Sequence, residues 1–212
     1  MTAPTDIQTP QRGTAPPRGP LRWAPALWAT FAQAVAFAAA AVTAFLTTDI
    51  AAHFHASSGT RLWPLGAFAI GLVVAANGTR RTGTLGRVRY TGAIALAALT
   101  FGALALALAP GFGFAVGAAG AFGVAAGFTI ALAGRVVAAA EIGDGSGSVV
   151  LSAAALLTGI AAGVGALFAE PLYGWRGVFG LIVVAAVLAA WKFAEYVPDD
   201  TGMLATCDVR FV

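Results

Sequence analysis

Six apolar runs, separated by short polar segments, set the pattern of this chain. None of the runs contains a charged residue, and about 20 apolar residues in a helix are enough to cross the hydrocarbon core of a bilayer. Five runs reach that length or approach it with their flanks. The pattern predicts an all-α integral membrane protein, a bundle of about six transmembrane helices. The runs are Trp23–Leu46, Leu62–Ala76, Tyr90–Ala109, Phe112–Ala133, Val149–Ala169 and Val178–Trp191.

The second run is the weakest of the predicted spans. As a helix, residues 62–76 extend roughly 22 Å, against a hydrocarbon core of about 30 Å. Three outcomes stay open: the run borrows flanking residues, the bilayer thins around it, or it is a re-entrant or degenerate segment.

The composition excludes a soluble globule. Of 212 residues, 59% are hydrophobic and 10% are charged, whereas soluble domains carry roughly 25% charged residues. Residues 1–22, rich in Pro, Thr and Gln, predict a disordered cytoplasmic tail. We expect a six-helix transmembrane domain over residues 23–196 and a cytoplasmic C-terminal tail over residues 197–212. The single cysteine, Cys207, excludes a disulfide framework.

The basic residues sort to one side if the N-terminus is cytoplasmic. Ten then lie inside, and only Arg61 and Arg176 lie outside, as the positive-inside rule requires. This one-sided distribution of basic residues requires the second run to cross the membrane. It predicts a multi-pass protein of the plasma membrane with both termini in the cytoplasm and no nucleic-acid site, because no basic face lies in a soluble region. The inside residues are Arg12, Arg18, Arg22, Arg80, Arg81, Arg87, Arg89, Arg135, Lys192 and Arg210.

Glycines recur at helical spacing in the fourth and fifth runs. Five in the fourth run follow intervals that keep them on one helical face, and two in the fifth are four residues apart. Small residues at this spacing let helix backbones approach closely in lipid. They predict helix-packing faces, although glycine and alanine are frequent enough here for chance to supply part of the pattern. The residues are Gly113, Gly117, Gly120, Gly123, Gly127, Gly159 and Gly163.

Four stretches carry further motifs. Gly174–Phe179 reads GWRGVF, Gly71–Arg81 reads GLVVAANGTRR, Leu108–Pro110 leads into the glycine-rich run, and Leu46–Phe54 ends the first run. In their order along the chain, these four stretches resemble the N-terminal half of a major facilitator superfamily transporter. In that family G-W-R-x-x-F commonly opens the sixth helix, and G-x-x-x-D-R-x-G-R-R forms the cytoplasmic loop between helices two and three.

The resemblance implies half of a major-facilitator-like fold and efflux of a small organic molecule. It assigns a cytoplasmic gate loop to Gly71, Gly78, Arg80 and Arg81. A second six-helix half is absent, and such transporters bind substrate between two halves that rock against each other. The resemblance therefore implies an assembled pair, either a homodimer or this chain with a separate half. The substrate is not indicated.

The sequence also departs from the family. Ala75 and Ala76 stand where the gate loop has its Asp and Arg, and the R-x-x-Q-G of many fourth helices reads Ala119, Phe122 and Gly123. These losses favour an alternative, a non-transporting membrane protein that is either a degenerate transporter fragment or a structural or interaction subunit.

Few residues offer chemistry. Gln33, Thr43 and Asp49 are the candidates for substrate binding or transport, because polar groups inside a span are expensive. For Gln33 and Thr43, hydrogen bonds to a neighbouring helix are at least as strongly indicated, and for Asp49 an interfacial acid that caps a helix end is the favoured interpretation. His53 and His55 lack further ligands, so no metal site is expected. No catalytic constellation or cofactor motif is found, which predicts that the protein is not an enzyme.

Overall fold

A computed structural model describes residues 23–81, 88–140 and 146–198 of the chain. All regular secondary structure in these ranges is helical: α1 (Trp23–His53), α2 (Trp63–Arg81), α3 (Val88–Ala107), α4 (Phe112–Ala140) and α5 (Ser146–Tyr196). By length and composition α1, α3, α4 and α5 could each cross a membrane, and Trp63–Thr79 forms a shorter apolar helix. The protein is therefore all-α, with apolar helices suited to a multi-pass membrane protein. Most of both predicted tails lies outside the described ranges.

The prediction of six separate helices is corrected to five elements, because α5 contains both the fifth and the sixth apolar run. Its 51 residues would extend about 76 Å as a straight helix, more than twice the hydrocarbon thickness. It is not straight: Pro171 lies inside it, and Gly174 has non-helical dihedrals of φ 66° and ψ 165°. We call residues 146–173 the N-terminal arm and residues 175–196 the C-terminal arm.

The N-terminal arm follows α1 in the same direction. A Cβ atom added to Gly159 would overlap Phe37, and one added to Gly163 would overlap Ala41. Residue numbers therefore rise together along the two helices. The absence of side chains at these two glycines allows the backbones to approach this closely.

The C-terminal arm runs along α1 in the opposite direction. Trp175, at its start, meets His53 near the end of α1, with ring centroids 5.6 Å apart. Tyr196, at its end, stacks on Trp28 near the beginning of α1, at 6.0 Å. The chain therefore turns back on itself at Gly174, and the two arms form a helical hairpin around α1.

Glycines also join α2 to α4, which run parallel. A Cβ atom on Gly123 would collide with the Phe68 carbonyl, and one on Gly127 would lie 2.6 Å from the Leu72 carbonyl oxygen. Gly71 provides the reciprocal close approach, because its Cβ atom would collide with the carbonyl of Gly120.

Gly113 and Gly117 lie outside this contact, since a Cβ atom on either would meet nothing within 4 Å. The parallel register carries Gly117 level with the first turn of α2 and Gly113 beyond it. The predicted face of five glycines thus makes close contacts only over its second half, because α2 begins at Trp63.

Helix α3 closes the bundle against α4 and the C-terminal arm. Gly102 receives Phe122 of α4, and Gly92 receives Phe193 of the C-terminal arm. Both phenylalanines are fully buried. The contact between Gly92 and Phe193 joins the beginning of α3 to the end of the arm, so these two segments run antiparallel.

Candidate functional site

A chain of aromatic rings connects four elements at one end of the bundle. Trp175 follows the break at Gly174, is 6% exposed and contacts both His53 and Phe179. Phe179 then meets Phe122, with centroids 6.1 Å apart, and Phe122 meets Phe68 at 5.5 Å. All these pairs are edge-on, an arrangement that aromatic rings favour. The rings tie the C-terminal arm to α1, α4 and α2.

Arg176, beside this aromatic chain, anchors the same end to α3. Its Nη2 donates to the carbonyl oxygen of Ala109 at 3.3 Å, just beyond the last residue of α3. Pro110 follows and cannot continue the helix, so carbonyls there lack intrahelical partners. The guanidinium also lies 5.2 Å from the Trp175 ring. Three residues of the C-terminal arm thus contact three different helices: Trp175 contacts α1, Arg176 the end of α3, and Phe179 α4.

At the opposite end, Arg135 of α4 holds the end of α2. Its Nη2 donates to the Thr79 carbonyl oxygen at 2.5 Å, one of the last-turn carbonyls that a helix leaves unpaired. The Thr79 hydroxyl in turn donates to the carbonyl of Ala76. Both residues border a cavity of about 310 Å³ between α2 and α4.

The four residues predicted to form a cytoplasmic gate loop all lie within α2. Gly78, Arg80 and Arg81 belong to the last turn of α2, whose Thr79 carbonyl accepts the hydrogen bond from Arg135. Gly71 is buried two turns earlier against α4. The side chains of Arg80 and Arg81 lie outside the described part of the structure. With 19 residues, α2 extends about 28 Å, longer than the predicted run.

Gln33 is the most unusual polar residue of the spans. It is 3% exposed, and its Nε2 donates to the Ile130 carbonyl oxygen of α4 at 3.3 Å. Gly134 lies one turn further along α4, where an added Cβ atom would be 3.0 Å from Nε2. The Oε1 atom is buried and has no hydrogen-bond partner among the described residues. Burying an amide oxygen without a hydrogen bond costs free energy. This atom can therefore accept a hydrogen bond from a further donor.

The other candidates do not converge on Gln33. Thr43 is fully buried, and its hydroxyl donates to the Ala39 carbonyl of its own helix at 2.7 Å. Asp49 is half-buried and makes no hydrogen bond or ion pair with any described residue. Along α1 it lies about 24 Å from Gln33. These three residues therefore do not form one binding site.

The two histidines have structural settings. His53 packs against Phe54 and Trp175, and His55 follows with a left-handed φ of 51° in the turn after α1. Among the residues that the structure covers, no cluster of three or more His, Cys, Asp or Glu could hold a metal ion.

An apolar cavity lies between α1 and the two arms of α5. The sequence alone did not predict it. Its volume is about 300 Å³. Its walls come from three helical segments, so its residues are scattered along the sequence, and only Thr158 among them carries a polar side chain.

No protein-family model matches this chain, and no curated protein matches it either. Function must therefore be argued from the geometry.

Proposed function

We propose that this chain is a half-length, major-facilitator-like transporter subunit that works as an assembled pair and exports a small organic molecule. The observation that carries the proposal is the reversal of α5 at Gly174. Because of that reversal, six helical segments alternate in direction, which is the arrangement of one half of such a transporter.

Six crossings explain the distribution of charge. Thr79 and Arg135 lie at one end of the bundle, and Lys192 lies near Trp28 at the same end. Arg176 is at the other end, beside the carbonyl of Ala109. In a membrane, the end richer in basic residues faces the cytoplasm. Both termini are then cytoplasmic, and the short helix α2 crosses with its last turn at the interface.

The residues that carry the resemblance have physical roles in this chain. Gly174 supplies the turn, Trp175 and Phe179 supply the aromatic contacts, and Arg176 binds the end of α3. These roles support the major-facilitator interpretation, since each residue of the motif contributes to the same corner of the bundle.

In the proposed pair, two six-helix halves rock against each other. Substrate would lie between the two halves near the middle of the membrane. Gln33 is the candidate we propose for contact with it: the side chain is buried against α4, and its Oε1 accepts no hydrogen bond from the described residues.

Two measurements test the proposal. The mass of the full-length chain in mild detergent, measured by light scattering, is expected to be that of a dimer. Proteoliposomes are then expected to accumulate a radiolabelled small organic solute from a panel of lipophilic cations and neutral compounds. Gln33→Leu is expected to lower that uptake while preserving the dimer.

A non-transporting role is the second candidate, and one observation favours it. The hydroxyls of Thr30, Thr43, Thr47, Thr100 and Thr129 all donate to carbonyls of their own helices, which leaves few polar groups for a substrate. A monomer that moves no solute of the panel would contradict transport and support this role. A second six-helix half encoded beside this reading frame would instead indicate a split transporter.

A further inference from the structure

We infer that the apolar cavity between α1 and the arms of α5 binds a small lipophilic molecule bearing one hydroxyl group. The inference does not depend on the proposed transport, since Gln33 does not line this cavity. The inference rests on the cavity's size, its walls, its opening and its single polar group.

The cavity is a wedge produced by the hairpin. Near Gly174 it is bordered by Ala169 of one arm and Val178 of the other, and further from the break by Thr158 and Ala185. The N-terminal arm presents only small side chains to it, those of Thr158, Ala162, Gly165, Ala166 and Ala169. The space left, about 300 Å³, is at the lower end of the range for small-molecule sites.

The ligand enters from the membrane. Leu181, which lines the cavity, is 56% exposed on the outer surface of the bundle, and Gly165 has open space where a Cβ atom would be. In a bilayer this surface meets hydrocarbon, so compounds that partition into the membrane reach the cavity at high local concentration. Its walls are almost entirely apolar, which disfavours water and favours a lipophilic ligand.

Thr158 gives the site its selectivity. Its hydroxyl makes no hydrogen bond within the described residues, unlike the hydroxyls of Thr43 and Thr129, which donate to their own helices. Even when a threonine hydroxyl donates to its own helix, its oxygen still accepts from another donor. A hydroxyl-bearing ligand can therefore satisfy this oxygen, whereas the acyl chain of a lipid offers no donor at this depth.

The test is photolabelling of the full-length chain in phosphatidylcholine nanodiscs. Two probes of equal length are used, a diazirine-bearing octanol and the matching diazirine-bearing alkane, and adducts are mapped by mass spectrometry. We expect saturable labelling of α1 and α5 by the alcohol and competition by unlabelled octanol. Thr158→Val is expected to weaken the alcohol's apparent affinity about threefold to tenfold, the effect of one lost hydrogen bond, and to leave alkane labelling unchanged.

Gly165→Leu fills the cavity and is expected to lower alcohol labelling at least fivefold. Gly180→Leu is the matched control, because Gly180 is also a helical glycine of α5 with nothing within 4 Å of an added Cβ atom, and it does not line the cavity. It is expected to label like the wild type. Thermal unfolding in the same nanodiscs checks that each variant is folded.

Two results would overturn the inference. If labelling rises linearly with alcohol concentration and is equal in the wild type and Gly165→Leu, the alcohol simply partitions into the bilayer. Equal, saturable labelling by alcohol and alkane with no effect of Thr158→Val would mean that a lipid chain occupies the cavity.

Discussion

Glycines at the helix crossings matter in this protein because they lack a side chain, which allows two helix backbones to approach closely. At Gly123, Gly127 and Gly159, a single added methyl group would meet the backbone of the neighbouring helix. Because lipid tails are as apolar as side chains, helices in a membrane gain stability from close packing and not from burial of apolar surface. A glycine therefore contributes to stability only where it faces the backbone of a neighbouring helix.

Gly123→Ala is expected to lower the free energy of unfolding by about 1–3 kcal/mol, the usual cost of overpacking. Its Cβ atom would collide with the carbonyl of Phe68, which cannot move without shifting α2. The measurement is reversible unfolding by SDS in mixed micelles, followed by circular dichroism. Gly117→Ala, with open space around its Cβ atom, is the control and is expected to change stability by less than about 1 kcal/mol. Equal losses at both positions would contradict the α2–α4 contact.

Gln33 gives a second prediction at this scale. Gln33→Met keeps the side chain's length and removes both the bond to Ile130 and the orphaned Oε1. The lost bond is worth about 0.5–1.5 kcal/mol, and the unsatisfied oxygen costs about 1–3 kcal/mol. Stability in the same SDS assay is therefore expected to stay level or to rise by up to about 2 kcal/mol. A clear loss of stability would show that Oε1 has a partner, such as a bound water molecule.

At the scale of elements, the break in α5 organises the bundle. Gly174 has φ 66° and ψ 165°, a region of backbone space that is essentially restricted to glycine. The chain reverses there, so one long helix becomes two segments that flank α1. Trp175 and Arg176 then hold the second segment in place.

Gly174→Ala is expected to destabilise the protein by about 1–3 kcal/mol, since alanine must adopt a strained backbone conformation. Amide hydrogen exchange is expected to rise over residues 175–180, where the second arm begins. Gly180→Ala is the matched control: Gly180 is helical with free space around it, so alanine should be neutral or slightly stabilising. Unchanged stability and exchange in Gly174→Ala would mean that the turn does not depend on glycine.

At the scale of the whole molecule, the two ends of the bundle differ in chemistry. One end holds Arg135 at the tip of α2 and Lys192 paired with Glu195 at 2.8 Å. The other holds His53, Trp175 and Arg176 in mixed aromatic and polar contacts. This asymmetry is what orients a protein in a membrane.

Membrane orientation is tested with cysteine labelling in a Cys207→Ser background. Ser58→Cys, in the exposed turn between α1 and α2, is expected to react with a membrane-impermeant maleimide in intact cells. Glu195→Cys, at the opposite end, is expected to react only after the membrane is permeabilised. Labelling of Glu195→Cys alone in intact cells would invert the orientation, and labelling of both would contradict the placement of the two ends on opposite sides.

The extent of the apolar segments was predictable from the sequence, because periodic charge-free runs have few alternatives to membrane helices. Only α3 agrees closely with its predicted run, since α1, α2 and α4 continue to His53, Arg81 and Ala140, beyond runs predicted to end at Leu46, Ala76 and Ala133. At the end of α2, the Thr79 carbonyl accepts a hydrogen bond from Arg135. That hydrogen bond joins residues 56 positions apart, so it could not be predicted from any local sequence pattern.

What the sequence determined alone was the all-helical class, the apolar surface and the separation of most charges from the spans, because these depend on composition and local hydropathy. Tertiary structure decided which glycines touch a neighbour, where α5 turns back and which polar atoms are left without partners. It also created the cavity beside Thr158, whose walls come from three segments. These features depend on register between distant helices, a quantity that exists only once the helices have packed.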